Sequence, residues 1–492
     1  MAITLNQEPT QYNVVVSPNV FTLGSITANE DSYVLQVEKL DEYTGTYTTL
    51  ATIQQPANPA GVGIYDISKI LQAQMSIAWV EDTGVDGLTA NPIGVQTPGA
   101  MLSYRIQYGS VTNNLITFEG TSAVKHVING YDNWRYKDWP TQDTFIPEPT
   151  AFTCEGGGYT NANYDATGGA FLTNYPGNIT LRSNTQHTLS FFNRIGNYNS
   201  GPNWGNSEQP YAIRIKFYDI NNNLITTAVR AISASTGLGP RVDFNSDANL
   251  TYTTAQVIGT IGAGPENLKN NGLWPANASA VWNLVSQQWG NNSQIWNLAT
   301  TTAIVDHYTI DIMSVDMCYW ADNGAPVNPG ALTLDNYLDD VIYTKSFQLA
   351  DPCTGYDPIT VSFVNQYGVK DYYTFDRRNT LNQSIKRNDY DQVLGSWSAA
   401  AFNIDPHGRG RRTFSTEIST KMTMASYWME DDESKWLEEL FTSPHVQVKY
   451  DGVWEPAVIT SRGYSQKTNS RDGLFQHTLE IEFANTKKVQ RG

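Results

Sequence analysis

The stretch EDDESKWLEELFTSPHVQVKYDGVWEPAVI, residues 430–459, decides how the end of this chain folds. Glu430 to Glu433 put negative charge where a helix begins, and there it stabilises the unpaired N–H groups of the first turn. Trp436, Leu437, Leu440 and Phe441 recur at helical spacing as one apolar stripe. Ser443-Pro444 ends the helix, because the residue before a proline is pushed out of the α region. From Val446 the period drops to two. Val446, Val448 and Tyr450 share a face, Asp451-Gly452 is a two-residue hairpin turn, and a return strand follows. The stretch predicts one helix near residues 431–442 packed on an antiparallel sheet.

Outward from this helix the period-two signal continues in both directions. Downstream, Asp472-Gly473 marks a turn, and Leu479, Ile481 and Phe483 then alternate with Thr478, Glu480 and Glu482. Upstream, Ile359, Val361 and Phe363 lead into Asn365-Gln-Tyr-Gly368, and Tyr372 to Phe375 returns as the partner strand. Residues 356–492 therefore form a C-terminal α+β unit, an antiparallel sheet with one helix. Residues 131–355 read as a central β-sandwich with long loops. Its strands run over Ile179–Leu181, His187–Phe192, Tyr211–Tyr218 and Leu224–Ala231, with Asn221 to Asn223 as a turn. Residues 262–300, with Trp274, Trp282, Trp289 and Trp296, read as an insertion, either a long loop or a partly helical arm. Residues 1–130 read as an N-terminal β-sandwich. Tyr33, Leu35 and Val37 alternate with Val34, Gln36 and Glu38, and Leu102–Tyr108 joins Leu115–Phe118 through Asn113-Asn114. A short helix over Asp66–Leu71, capped by Asp66, plugs one end. The expected fold class is mainly β and multi-domain, with fibronectin-III-like or jelly-roll-like sandwich modules.

Composition agrees. The chain has 492 residues, which at about 150 residues per domain suggests roughly three units. Only 16% of residues are charged, while 38 Gly and 22 Pro supply the many turns of a β protein. The net charge of −17 opposes general nucleic-acid binding, since phosphate contact needs a basic field. Cys154, Cys318 and Cys353 are odd in number and scattered, giving neither a disulfide framework nor metal-ligand spacing. The opening MAITLNQEPT lacks the basic and apolar parts of a secretory signal, and no stretch approaches the length of a membrane span, so assembly in the cytoplasm is expected.

Two passages resemble structural proteins of tailed phages infecting gut and aquatic Bacteroidetes, especially the crAss-like group. One is Cys353…Tyr356…Val361-Ser-Phe363-Val-Asn365…Gly368…Asp371-Tyr-Tyr373-Thr-Phe375. The other is Trp436-Leu437…Leu440…Ser443-Pro444…Val446…Tyr450-Asp-Gly452…Trp454…Val458-Ile459. Together they span most of residues 353–484, and Pro18-Asn19 with Gly63…Tyr65-Asp66…Ile70-Leu71 is similar to the N-terminal part of such proteins. The resemblance implies a virion component of β-sandwich modules with no cofactor and no catalytic residue to carry over. Such proteins form rings around the tail or serve as collar or baseplate attachment points.

Candidate sites are correspondingly few. His126, His187, His307, His407, His445 and His477 are dispersed, with no pair at the spacing that sets two ligands on one helical face. Asp219-Ile-Asn-Asn-Asn223 looks like the start of a calcium loop but lacks its later Gly and acidic ligands, so a hairpin turn is expected. Tyr131, Trp134, Tyr136 and Trp139 form an aromatic cluster suited to a domain seam, a subunit interface or a sugar platform. Arg377, Arg378, Lys386, Arg387, Arg409, Arg411 and Arg412 collect in a short segment of an acidic chain. That segment is either a solvated loop or an arm that docks on acidic surface of a neighbouring subunit or another virion protein; contact with DNA is a weaker reading. The expected partners are further copies in a homo-oligomeric ring and other tail or portal-proximal virion proteins, with no membrane. The expected function is a virion structural protein rather than an enzyme. A carbohydrate- or receptor-binding virion protein and a glycan-cleaving enzyme are the alternatives.

Overall fold

The computed structural model describes residues 3–25, 32–41, 46–75, 93–95, 101–131, 154–156, 159–161, 171–182, 185–195, 211–232, 255–270, 274–275, 295–297, 304–315, 338–350, 355–407, 410–461, 474–484 and 487–489. The chain is mainly β, built of several separate sheets and few helices. It divides into two compact units, one of residues Met1–Asp351 with Val364–Asp371 and one of Pro352–Phe363 with Tyr372–Gly492.

In the first unit, strands Tyr12–Val14, Lys125–Ile128, Met101–Thr112, Ser32–Asp41 and Thr46–Gln55 lie side by side, and Leu115–Thr121 also pairs with Met101–Thr112. A three-stranded sheet of Thr4–Gln7, Val20–Gly24 and Gly63–Asp66 shares its core. Phe21, Leu23 and Tyr65 from the small sheet meet Tyr33, Leu35, Val37, Leu102, Tyr104 and Ile106 from the large one in a single apolar cluster. Asn113 and Asn114 both have positive φ, 51° and 62°, which is the backbone that a tight hairpin turn with the native strand twist requires. The short helix α1 spans Ser68–Gln72 and buries Leu71 in the same cluster. It begins two residues later than expected from Asp66. Ile67 occupies the cap position without a side-chain bond, while the Asp66 carboxylate accepts from the Ser68 N–H.

The central sheet runs Ile179–Leu181, Leu338–Leu349, His307–Val315, Tyr211–Tyr218, Leu224–Ile232, Ile295–Asn297. A second sheet runs Thr188–Ile195, Ala255–Gly262, Ile93–Val95, so a strand from the N-terminal hundred residues completes it. Between the two sheets, Tyr308 stacks on Phe347 and its hydroxyl donates to the Ala263 carbonyl at 2.8 Å. Of the Trp-rich insertion, the described parts are helix α2 at Pro265–Asn270, the buried Trp274, and the strand holding Trp296; Trp282 and Trp289 lie outside the described residues.

The second unit is one eight-stranded sheet with helix α3, Asp431–Thr442, in the predicted place. Its order is Lys370–Phe375, Ile359–Val364, Val446–Tyr450, Val453–Ile459, Thr478–Phe483, Arg411–Ala425, Asn379–Asp391, with Lys487–Val489 also on Arg411–Ala425. Pairing carries one face across the sheet: Phe363 opposite Val446, Val446 opposite Ala457, Ala457 opposite Phe483, Ile481 opposite Met422. All of these residues are buried, and α3 contributes Trp436, Leu437 and Leu440 to the same core, with Trp436 5.5 Å from Phe363. The Asp472-Gly473 turn lies outside the described residues.

Candidate functional site: a projecting hairpin arm

The last two strands of this sheet are much longer than the rest. Asn379–Asp391 and Arg411–Ala425 pair in register from Asn379↔Met424 to Asp391↔Arg411, with one irregularity between Asn388 and Asp389. At about 3.3 Å per residue, the 13-residue strand spans roughly 40 Å. The inner end is tied down. Met422 and Met424 are buried, Ser419 Oγ donates to Glu482 Oε1 at 2.7 Å, and Lys421 Nζ lies 3.4 Å from Glu482 Oε2. The Ser419 bond first, and Lys421 after it, hold the Glu482 carboxyl below its ordinary range. The outer end is free of the core, since every residue from Leu381 to Asp391 is exposed, as are Arg411 to Phe414. At the tip, Gly395–Trp397 pairs with Phe402–Ile404, and the Trp397 and Phe402 rings stand 5.1 Å apart.

The two faces of the arm differ. Leu381 pairs with Met422 and Ile385 with Ile418, so these residues continue the buried face of the sheet outward into solvent. The other face carries Asn382 with Lys421, Ser384 with Ser419, and Lys386 with Glu417. Helix α3 packs its Trp436 on Phe363 and Tyr373, whose strands lie at the opposite end of the sheet order from Asn379–Asp391. The apolar face beyond it is bare. Ile385 is 51% exposed, and the tip presents Trp397 at 82% and Ile404 at 73%.

The arginine-bearing segment, expected as a solvated loop or a docking arm, is built into this hairpin. Arg377 and Arg378 stand exposed at its root, with Arg377 Nε 3.8 Å from Asp376 Oδ1. Lys386 and Arg387 are exposed midway along the arm and make no ion pair among the described residues. Arg411 lies 3.3 Å from Asp389, and Arg412 is opposite Tyr390. Arg409 lies outside the described residues, as do Trp134, Tyr136 and Trp139; Tyr131 is half-buried and its N–H donates to the Gln366 carbonyl at 2.9 Å. Sequence reasoning found the charge and missed the apolar half of the site. The signal was present in the spacing Leu381–Ile385 and Ile418–Met422–Met424, which is period two with polar interruptions.

Elsewhere the described titratable groups serve turns and cores. Asp219 accepts from the Asn221 and Asn223 N–H groups at 2.8 and 2.9 Å, and Asn222 has φ 63°, so this segment is a hairpin turn. Its hydrogen bonds, those from Asn223 foremost, hold the Asp219 carboxyl low. Among the described residues, no group of three or more His, Cys, Asp or Glu is placed to hold a metal, and no helix is long and apolar enough to cross a membrane. Ser103 Oγ lies 2.6 Å from His126 Nδ1 and Ser434 Oγ 2.8 Å from His477 Nε2; each is a buried pair within a strand-and-helix core.

His187 is fully buried with its ring edge-on to Phe347, and burial first, then Lys345, pushes its pKa from 6.5 down to about 3. The native ring stays neutral where the unfolded chain would take a proton. The stability it contributes is thus complete above pH 6.5 and is lost as pH falls toward 3. Between pH 7 and pH 5 the loss is about 2 kcal/mol. Denaturant titrations at the two pH values should show this difference in wild type and a smaller one in His187→Leu; equal slopes in both would refute the assignment.

No family model and no curated protein matches this chain.

Proposed function

We propose that this protein is a structural subunit of a tailed-phage particle, assembling as a closed ring around the tail axis in the tail, collar or baseplate, and is not an enzyme. The observation that carries this reading is the hairpin arm, which extends an apolar sheet face and a structured apolar tip beyond the core of its own unit, among the described residues. A monomer that works alone gains nothing from ordered, solvent-exposed Trp and Ile at the end of a roughly 40 Å hairpin, whereas a subunit gains a protein contact. A ring uses two different, complementary patches per subunit, and the rotation between neighbours must close. The phage context is supported by the resemblance over residues 353–484, and it makes other tail or portal-proximal proteins further partners.

Negative-stain images and sedimentation velocity of the purified full-length protein test this. Closed rings, or discrete oligomers that grow with concentration, are expected. Isolated monomers at tens of micromolar, or release of reducing sugar from host glycans above a heat-treated control, would overturn it.

A further inference from the structure

We infer that the bare face and tip of the arm are seated on the acidic surface of a second copy of this chain, with Trp397 and Ile404 as apolar anchors and the arginines as the rim. This deepens the assembly reading above and rests on it.

Charge identifies the occupant. Residues 377–412 hold seven Lys and Arg against three Asp, a net of +4, which leaves −21 on the remainder of the chain. The partner that best fits a basic arm is therefore a surface that this chain itself supplies in excess. Complementary potentials fix the register of such a contact and raise its association rate. The aliphatic half argues against the other obvious polyanion. A nucleic acid would take Arg387, Arg411 and Arg412 through its phosphates and stack a base on Trp397, but leave Leu381, Ile385 and Ile404 in water. Aromatic side chains together with arginine, flanking an apolar centre, are the composition of a protein–protein interface.

The arm also shows how the contact is made. Strand Asn379–Asp391 ends the sheet among the described residues, which leaves its outer edge open to another strand. That edge carries Lys386, Arg387, Asp389 and Asp391 and an irregularity at Asn388/Asp389, the features by which edge strands resist pairing. Recognition accordingly runs through the side-chain face and the tip rather than through added main-chain hydrogen bonds. The tip is suited to this, because its own two-stranded ladder orders Trp397 before any partner arrives and so lowers the entropy lost on binding.

The test is sedimentation velocity of the full chain across concentration and salt, with two variants. Trp397→Ser/Ile404→Ser removes the anchors, and Ile385→Ser, on the strand rather than the tip, removes the face. Both sites are exposed, so unchanged denaturation midpoints are expected. The anchors variant should associate at least about 30-fold more weakly than wild type, and Ile385→Ser should weaken association in the same direction. Raising NaCl from 0.1 to 0.5 M should slow wild-type association. A photo-crosslinker at position 400, exposed at the tip beside the anchors, should join two copies of the chain. If both variants form wild-type oligomers, or the crosslinker reaches no second copy within them, the arm inference is wrong while the assembly reading stands. If wild type never self-associates, both fall.

Discussion

Leu440→Asp should cost the C-terminal unit about 4 kcal/mol or more, enough to leave it largely unfolded at neutral pH. Leu440 is fully buried, one turn beyond Trp436 and near Leu437, on the helix α3 that sets Trp436 against Phe363. Removing the Leu side chain forfeits roughly 2 to 3 kcal/mol of burial. The new carboxylate then either loses its hydration or drags the helix off the sheet, and both add to the loss. Tryptophan fluorescence during denaturant unfolding reads the result directly, because Trp436 sits in the affected core. Asp432→Ser on the exposed side of the same helix is the control and should shift stability by less than about 0.5 kcal/mol. Wild-type melting of Leu440→Asp would mean that the stripe does not hold the unit together.

That helix was legible in the sequence because every determinant is local: the acidic first turn, the 3.6-residue stripe and the Ser443-Pro444 stop all lie within fourteen residues, and α3 falls on them. The Asn113-Asn114, Asn222 and Asp451-Gly452 turns were legible for the same reason, since each demands residues that tolerate positive φ. The arm was not. Its two strands are separated by the nineteen residues 392–410, and neither shows an unbroken alternation, because Gln383 and Arg387 on one strand and Thr416 and Thr420 on the other interrupt the apolar face of Leu381, Ile385, Ile418 and Met422. What the sequence displays there is a run of arginines, which reads equally well as a solvated loop. The strand Ile93–Val95 was hidden for a related reason: its partner Ala255–Gly262 lies some 160 positions away, and three residues carry no period of their own.

Gly368→Ala should be among the most damaging small substitutions in the chain, costing more than about 3 kcal/mol, although alanine adds one carbon. Gly368 belongs to the Val364–Asp371 segment of the first unit, whose conformation is set from several sides. Asn365 Oδ1 accepts from the Tyr367 and Val369 N–H groups, Asn365 Nδ2 donates to the Leu172 carbonyl at 2.8 Å, and Tyr367 Oη donates to Asn174 at 2.8 Å. Gly368 itself has φ +77°, and a Cβ on it would stand 2.0 Å from the Asn129 carbonyl oxygen. The obstacle is backbone, which cannot rotate aside as a long side chain would, so either this segment or the Asn129 strand end must move and give up its hydrogen bonds. Gly452 separates the two causes. It has nearly the same φ, +79°, but open space around its missing Cβ, so Gly452→Ala bears only the left-handed backbone cost of about 1 kcal/mol. Thermal and denaturant unfolding of the two variants side by side should therefore differ by about 2 kcal/mol or more. If they are destabilised equally, the close approach of Gly368 to Asn129 is not a real constraint, and the segment's placement in the first unit must be redrawn.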